Sequence, residues 1–159
     1  MDPNLDDVSI DDLIEHFSLA LQVRDKTSLA NETVIRIRNI RRSLRSAQEA
    51  NMGDETLATT IDELLRKISI VESEIYQVRN RSAKDKIAFP IKLNNRLSGL
   101  LWLLETGGNK PPESYYRVFE ELSAELNARL KEFDLAISTL GADINQILSR
   151  SGQAEISYE

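Results

Sequence analysis

The chain has 159 residues, a length that suits one domain built around one hydrophobic core. It contains no cysteine, which excludes disulfide bonds, thiolate nucleophiles and cysteine-based zinc sites. Its 20 basic and 26 acidic residues give a net charge of −6, which disfavours whole-surface attraction to nucleic acid or anionic lipid. We therefore expect no nucleic-acid partner and, without a long apolar run, no membrane insertion.

The first helix is predicted over residues 9–50, after a linker leader formed by residues 1–8. Ser9 and Asp12 have the spacing of a capping box. Apolar residues then recur at helical spacing, except in the polar interval 24–33, which fits a kink, a break or a solvent-facing stretch; we favour one helix, straight or bent. Its predicted buried face consists of Ile10, Leu13, Ile14, Phe17, Leu21, Val34, Ile37, Ile40 and Leu44, with Ile35 beside it.

The second helix is predicted over residues 54–80. Gly53 ends the segment before it, and Asp54 is suited to cap the new N-terminus. The apolar residues alternate at spacings of four and three, the a/d pattern that packs against neighbouring helices. They are Leu57, Ile61, Leu64, Ile68, Val71, Ile75 and Val78. A polar linker, residues 80–86, follows.

The third helix is predicted over residues 90–106, between Pro90 and the glycine pair at 107 and 108. Its end reads LLWLL over residues 100–104, and five consecutive residues sweep more than a full helical turn. Neighbouring helices must therefore enclose this turn on several sides, or Trp102 and Leu103, with Leu101 beside them, form an exposed docking patch.

Three further residues interrupt the apolar pattern of the third helix. Asn94 and Asn95 lie in its first turns, and we expect one of them to make a structural hydrogen bond to the backbone of a neighbouring loop. Gly99 lies further along, where it would permit the close approach of another backbone. For all three residues, a structural role is favoured over ligand binding.

The fourth helix is predicted over residues 113–149, with apolar residues three or four apart throughout. Gly141 is its one weak point, because glycine costs about 1 kcal/mol relative to alanine in a helix interior, so a break there is an open alternative. Residues 151–159 are predicted to form a loose tail. Short connections between helices then predict an all-α, up-and-down antiparallel four-helix bundle over residues 9–150, with long first and fourth helices and a short third helix.

The sequence offers no catalytic, cofactor-binding or metal-binding constellation. His16 has no second histidine or cysteine to complete a metal site, and is expected at a surface or boundary. Carboxylates such as Glu120 and Glu125 are expected on a solvated helix face rather than in a glycosidase cleft. Five arginines between residues 36 and 45 are expected to face solvent or to pair with the acidic fourth helix rather than to grip phosphates.

Two stretches carry a family resemblance. MDPNLDDVSIDDLIEHFSLALQVRDK at the start, and FPIKLNNRLSGLLWLLETGGNKPPESYYRVFEELSAELN from residue 89, resemble the C-terminal helical region of bacterial BNR-repeat proteins related to the sortilin (VPS10) β-propellers. The resemblance implies that the chain is part of a larger exported protein, periplasmic or extracellular, whose glycosyl-hydrolase-like propeller is its intramolecular partner. It implies no active-site residue in this chain.

These observations predict a non-enzymatic helical accessory module that mediates docking to a β-propeller or association with another protein. A second hypothesis is a homo-oligomer, formed through the second helix or the crowded third helix. A third is that the chain belongs to a glycoside hydrolase whose active site lies in the propeller.

Overall fold

The computed structural model describes residues 8–79, 89–107 and 109–159. The helices are α1 (Ile10–Ala50), α2 (Glu55–Ile75), α3 (Leu93–Thr106), α4 (Glu113–Ala136) and α5 (Ala142–Arg150). A π-helical turn, Ile137–Gly141, joins α4 to α5, and the backbone torsions at both junctions remain helical. These three pieces therefore form one continuous fourth helix. The described residues contain no strand, and the predicted all-α bundle of four helices, with a short third helix, is confirmed.

The order of helix directions differs from the prediction at one connection. α2 and α3 both run antiparallel to α1, so the expected reversal between the second and third helices is absent. The contacts that fix these directions are Gln48 with Asp62 and Arg38 with Glu72 for α2, and Asn31 with Asn94 and His16 with Leu104 for α3. At 1.5 Å per residue α1 is about 60 Å long, which accommodates α2 and α3 end to end.

The junction between α2 and α3 is held by polar contacts. The side-chain amide of Gln77 donates to the carbonyl oxygen of Pro90 at 2.8 Å, and Lys92 lies 3.5 Å from Glu74. The end of α2 and the start of α3 are therefore close in space. The predicted linker 80–86 and most of the leader lie outside the described residues.

The fourth helix runs parallel to α1 and antiparallel to α2 and α3. Its contacts with α1 advance together along both helices: Tyr116 with Glu15, Lys26 with Asn127, and Arg36 with Asp134. The cross-section of the bundle consequently contains three helices at most levels. One is α1, one is α2 or α3, and one is the fourth helix.

The core consists of two clusters. The larger cluster lies where α1, α2, the fourth helix and the first turns of α3 meet, and it buries the predicted seam of α2 from Leu57 to Ile75. The smaller cluster, formed by Leu19, Val23, Leu100 and Leu104, lies between α1 and α3. α2 ends at Ile75, earlier than predicted, so Val78 lies beyond it and is half exposed. α3 likewise begins at Leu93, three residues after Pro90.

The start of α1 is capped as predicted but buries a different face. The hydroxyl of Ser9 accepts from the backbone N–H of Asp12 at 3.1 Å, which completes the capping box. The first four residues of the predicted buried face, Ile10, Leu13, Ile14 and Phe17, are all exposed, so that part of the prediction is wrong. Of the described residues, those of α3, α4 and the loop before α4 contact this end of α1, and the two helices cover the side that carries Leu19 and Val23.

The two open questions about helix continuity are answered. α1 is one helix through residues 24–33, where Ala30 and Thr33 are buried. The fourth helix does not break at Gly141 but passes through the π-helical turn instead. The prediction of a loose tail is wrong, because the side chain of Asn145 makes two hydrogen bonds to the backbone of Ile156.

Candidate docking surface

An open apolar groove runs between α3 and α4, and we call it the α3–α4 groove. α3 directs Leu93, Leu97, Leu100 and Leu104 inward at helical spacing. The opposite face of α3 therefore points outward, and α4 lies beside it. The groove has a volume of about 540 Å³ and is lined mainly by Ile91, Asn95, Gly99, Trp102, Leu103, Tyr115, Val118 and Leu122.

The crowded turn at residues 100–104 divides between core and surface. Trp102 is 61% exposed and Leu103 is 41% exposed, and both lie in the α3–α4 groove. Leu101 is half-buried and packs against the smaller core cluster on the other side of α3. The structure thus places two of the three predicted patch residues together and separates the third, because successive helical residues point about 100° apart.

The polar residues at the start of α3 also separate. Asn94 is buried, and its side-chain nitrogen lies 3.4 Å from the side-chain oxygen of Asn31 on α1. Asn95 is exposed and lines the α3–α4 groove. A Cβ atom at Gly99 would meet nothing within 4 Å, so this glycine leaves the groove open instead of admitting another backbone.

A second apolar surface lies at the start of α1, and we call it the α1 stripe: Ile10, Leu13, Ile14 and Phe17. Ile10 is 76% exposed and Phe17 is 64% exposed. Beside the stripe, a depression of about 520 Å³ separates α1 from α3. The helical periodicity identified these residues as one face but assigned that face to the core, because a sequence does not show how far the neighbouring helices extend.

His16 lies next to the α1 stripe and connects α1 to the end of α3. Its Nε2 atom is 2.7 Å from the carbonyl oxygen of Leu104, and its Nδ1 atom is 2.7 Å from that of Asn109. Carbonyl oxygens only accept hydrogen bonds, so both ring nitrogens must donate for both contacts to be satisfied. The described residues contain no cluster of metal-ligating side chains, and the contacts of His16 are structural.

A group of polar contacts fixes the start of the fourth helix on α1. The hydroxyl of Tyr116 donates to Glu15 at 2.8 Å, and Lys110 lies 3.0 Å from the same carboxylate. These two partners lower the pKa of Glu15, while desolvation and the bond to Glu15 raise the pKa of Tyr116 to about 12. This end of the bundle is therefore held by side-chain contacts around an otherwise apolar surface.

Three of the five arginines between residues 36 and 45 are engaged within the bundle. Arg38 and Arg41 donate to Glu72 at 2.7 and 2.6 Å. Arg36 lies 3.9 Å from Asp134 and 4.9 Å from the ring centre of Phe133. The pairing predicted with the fourth helix thus holds for Arg36, whereas the main acidic partner is on α2. The helical periodicity of the sequence does not show that a carboxylate such as Glu72 is buried.

The acidic residues of the fourth helix form no paired-carboxylate site in the described structure. Glu125 bonds to Arg96 of α3 at 2.8 Å, and Glu132 bonds to Arg129 one turn earlier at 2.8 Å. Glu120 is exposed on the outer face of α4. Their positions correspond to a solvated helix face with surface ion pairs.

Comparison of the chain with protein-family models, curated proteins and solved structures finds no match. Among the described residues, no helix has both the length and the apolar character needed to cross a membrane. The two apolar surfaces, at the end where α1, α3 and α4 meet, are the features of the described structure best suited to contact another molecule.

Proposed function

We propose that this chain is a non-catalytic helical interaction module whose α3–α4 groove docks on a β-propeller domain of the same polypeptide. The observation that carries the proposal is the exposure of Trp102 and Leu103 in an open apolar groove. Tryptophan is among the residues that most often dominate the energy of an interface. The occupant is taken from the resemblance of the sequence around residues 89–127 to the helical region that follows such propellers.

The shape of the groove supports docking of a protein surface. Leu103 and Val118 are apolar and each 41% exposed, and Gly99 leaves open space between the helices. Apolar patches rimmed by polar residues mark interaction sites on folded proteins. Here the rim is supplied by Asn95 and by Arg96, which pairs with Glu125 across the two helices.

The experiment compares this chain alone with the polypeptide that also contains the propeller, using hydrogen exchange read by mass spectrometry. We expect added protection in peptides that cover residues 91–103 and 114–122, because docking excludes water from the groove. Trp102→Glu should remove that protection. Ile70→Glu on α2, which also replaces a half-exposed apolar residue, is the matched control and should leave protection unchanged.

Equal exchange in the two forms, or protection that survives Trp102→Glu, would contradict docking through the groove. An open reading frame without a propeller would remove the proposed occupant.

A second candidate function, self-association, is favoured by the α1 stripe. The α2 seam is not available for this purpose because it is buried in the core of the chain itself. The stripe is exposed, and its four residues lie on one face of the helix. A two-fold pairing of two copies would bury this apolar face of each chain against the same face of the other.

A further inference from the structure

The segment after the fourth helix, residues 153–159 (QAEISYE), lies in a slot formed by α1, the π-helical turn and α5. The slot binds the main chain of this segment. The side-chain amide of Asn145 accepts from the N–H of Ile156 at 2.9 Å and donates to the carbonyl oxygen of the same residue at 3.0 Å. A primary amide supplies one acceptor and two donors, so it is able to pair with an extended residue as a neighbouring strand would.

A second main-chain contact is made by α1. The Nε atom of Arg36 donates to the carbonyl oxygen of Tyr158 at 2.6 Å. The guanidinium group is held in place by its stacking on Phe133, 4.9 Å from the ring centre. Asn145 and Arg36 thus bind alternate residues of the segment through the backbone, from two different helices.

The side chain of Tyr158 occupies a space that Gly141 creates. The hydroxyl donates to the carbonyl oxygen of Gly141 at 3.0 Å, and a Cβ atom at that position would lie 3.1 Å from ring atoms Cε2 and Cζ. Burial raises the pKa of this tyrosine to about 12. Gly141, which weakens the fourth helix, therefore lines the slot where the ring of Tyr158 packs.

Side-chain spacing completes the recognition pattern. Residues two apart lie on the same face of an extended chain, and both Ile156 and Tyr158 pack against the larger core cluster. Ser157, between them, is exposed. Fixing each backbone residue costs conformational entropy, so a short polar segment is ordered only where specific contacts offset that cost.

We propose that this slot is a recognition site for an extended peptide that carries isoleucine two residues before tyrosine, and that residues 153–159 are its ligand in cis. Main-chain hydrogen bonds supply affinity and the side-chain spaces supply specificity, as in other sites that capture extended peptides. The same segment supplied by a separate molecule is then able to occupy the slot when the chain's own segment is weakened.

The test uses the 159-residue chain with Ile156→Ala and Tyr158→Ala, which weakens the cis ligand and leaves every slot residue in place. A fluorescein-labelled peptide of sequence QAEISYE is titrated and its anisotropy measured. We expect saturable binding. A peptide with alanine in place of the tyrosine should bind at least about tenfold more weakly, and Asn145→Ala in the protein should have a similar effect.

Gln146→Ala, an exposed neighbour on α5, is the matched control and should leave the affinity unchanged. Hydrogen exchange in the otherwise unmodified chain gives a second measurement, because Asn145→Ala should accelerate exchange of the Ile156 amide selectively. The proposal would be overturned if the chain with Ile156→Ala and Tyr158→Ala retains its helical circular dichroism but binds no peptide. Peptide binding that Asn145→Ala does not weaken would also overturn it.

Discussion

At the scale of single residues, Glu72 is the clearest case of a charge buried with partners. The residue is 4% exposed, and both carboxylate oxygens accept from arginines of α1. Desolvation is the largest single influence on the pKa and favours the neutral form, but the hydrogen bonds and positive charges of Arg38 and Arg41 together outweigh it. The pKa of Glu72 consequently lies below its ordinary value of 4.5.

We expect Glu72→Gln to lower the free energy of unfolding by roughly 1–3 kcal/mol at neutral pH, because charge-assisted hydrogen bonds to two arginines are lost. The folded pKa is depressed, so this contribution is complete above the unfolded pKa and is lost as pH falls through the folded pKa. The difference between variant and parent chain should therefore shrink as the pH falls below 4.5. Urea denaturation at a series of pH values measures it.

Glu63→Gln on the same helix is the control for this experiment. Glu63 is half exposed and pairs with Lys67 one turn away, an arrangement that contributes little to stability. A loss for Glu72→Gln no larger than for Glu63→Gln, or one that persists unchanged at low pH, would contradict the role assigned to the buried carboxylate.

His16 shows what residue-level reasoning from sequence misses. The lack of a second histidine or a cysteine in the sequence argued against a metal site, and the residue was expected at a surface or boundary. Its two carbonyl partners, at Leu104 and Asn109, are about 90 residues away in the chain. No local pattern in α1 could identify them, because they become neighbours only when α3 and the loop after it pack on α1.

At the scale of helices, the fourth helix and α3 each contain an interior glycine with opposite surroundings. Gly99 faces open space, whereas Gly141 lies under the ring of Tyr158. Helix propensity alone treats the two positions alike, at about 1 kcal/mol less favourable than alanine. The tertiary contacts distinguish them.

We expect Gly99→Ala to stabilise the chain by about 0.5–1 kcal/mol, because the new methyl group meets nothing. Gly141→Ala should gain less stability, or lose stability, because its Cβ atom would lie 3.1 Å from the Tyr158 ring.

In a Tyr158→Ala background, the stabilisation expected from replacing this helical glycine by alanine should return. Thermal unfolding of the four variants, treated as a double-mutant cycle for Gly141 and Tyr158, measures this coupling. Equal gains for both glycines in the parent chain would contradict the packing of Tyr158 on the fourth helix.

At the scale of the whole molecule, the end where α1, α3 and α4 meet carries the α1 stripe and the α3–α4 groove. The larger core cluster lies toward the other end, where α2 is present. The proposed occupant of the α1 stripe is a second copy of the chain, whereas the proposed occupant of the α3–α4 groove is a propeller. Substitutions on each surface therefore test the two functions separately.

If the α1 stripe mediates self-association, the chain should form a concentration-dependent dimer, and Phe17→Glu should shift it to monomer. The physical reason is that a charge placed within the stripe would be desolvated without a partner. Light scattering over a wide concentration range measures the molecular mass. Ile35→Glu, at a similarly exposed position on the same helix, is the control and should leave the mass unchanged. A monomer at all concentrations would exclude this function and leave the docking proposal standing.

The sequence by itself determined that the chain is helical and that it forms four helices. It also determined how the first helix is capped and which seam of α2 is buried. These features depend on local periodicity and on hydrogen bonds between residues three or four apart, which a single chain encodes directly.

The tertiary structure alone decided the direction of α3, the exposed side of the first turns of α1, the partners of Glu72 and His16, and the docking of residues 153–159. Periodicity shows which residues share a helix face, but burial depends on which neighbours reach that level of the bundle. α2 stops at Ile75, and α3 continues along α1 in the same direction. As a result, three helices rather than four surround most of the core, and faces that resemble core in sequence remain open.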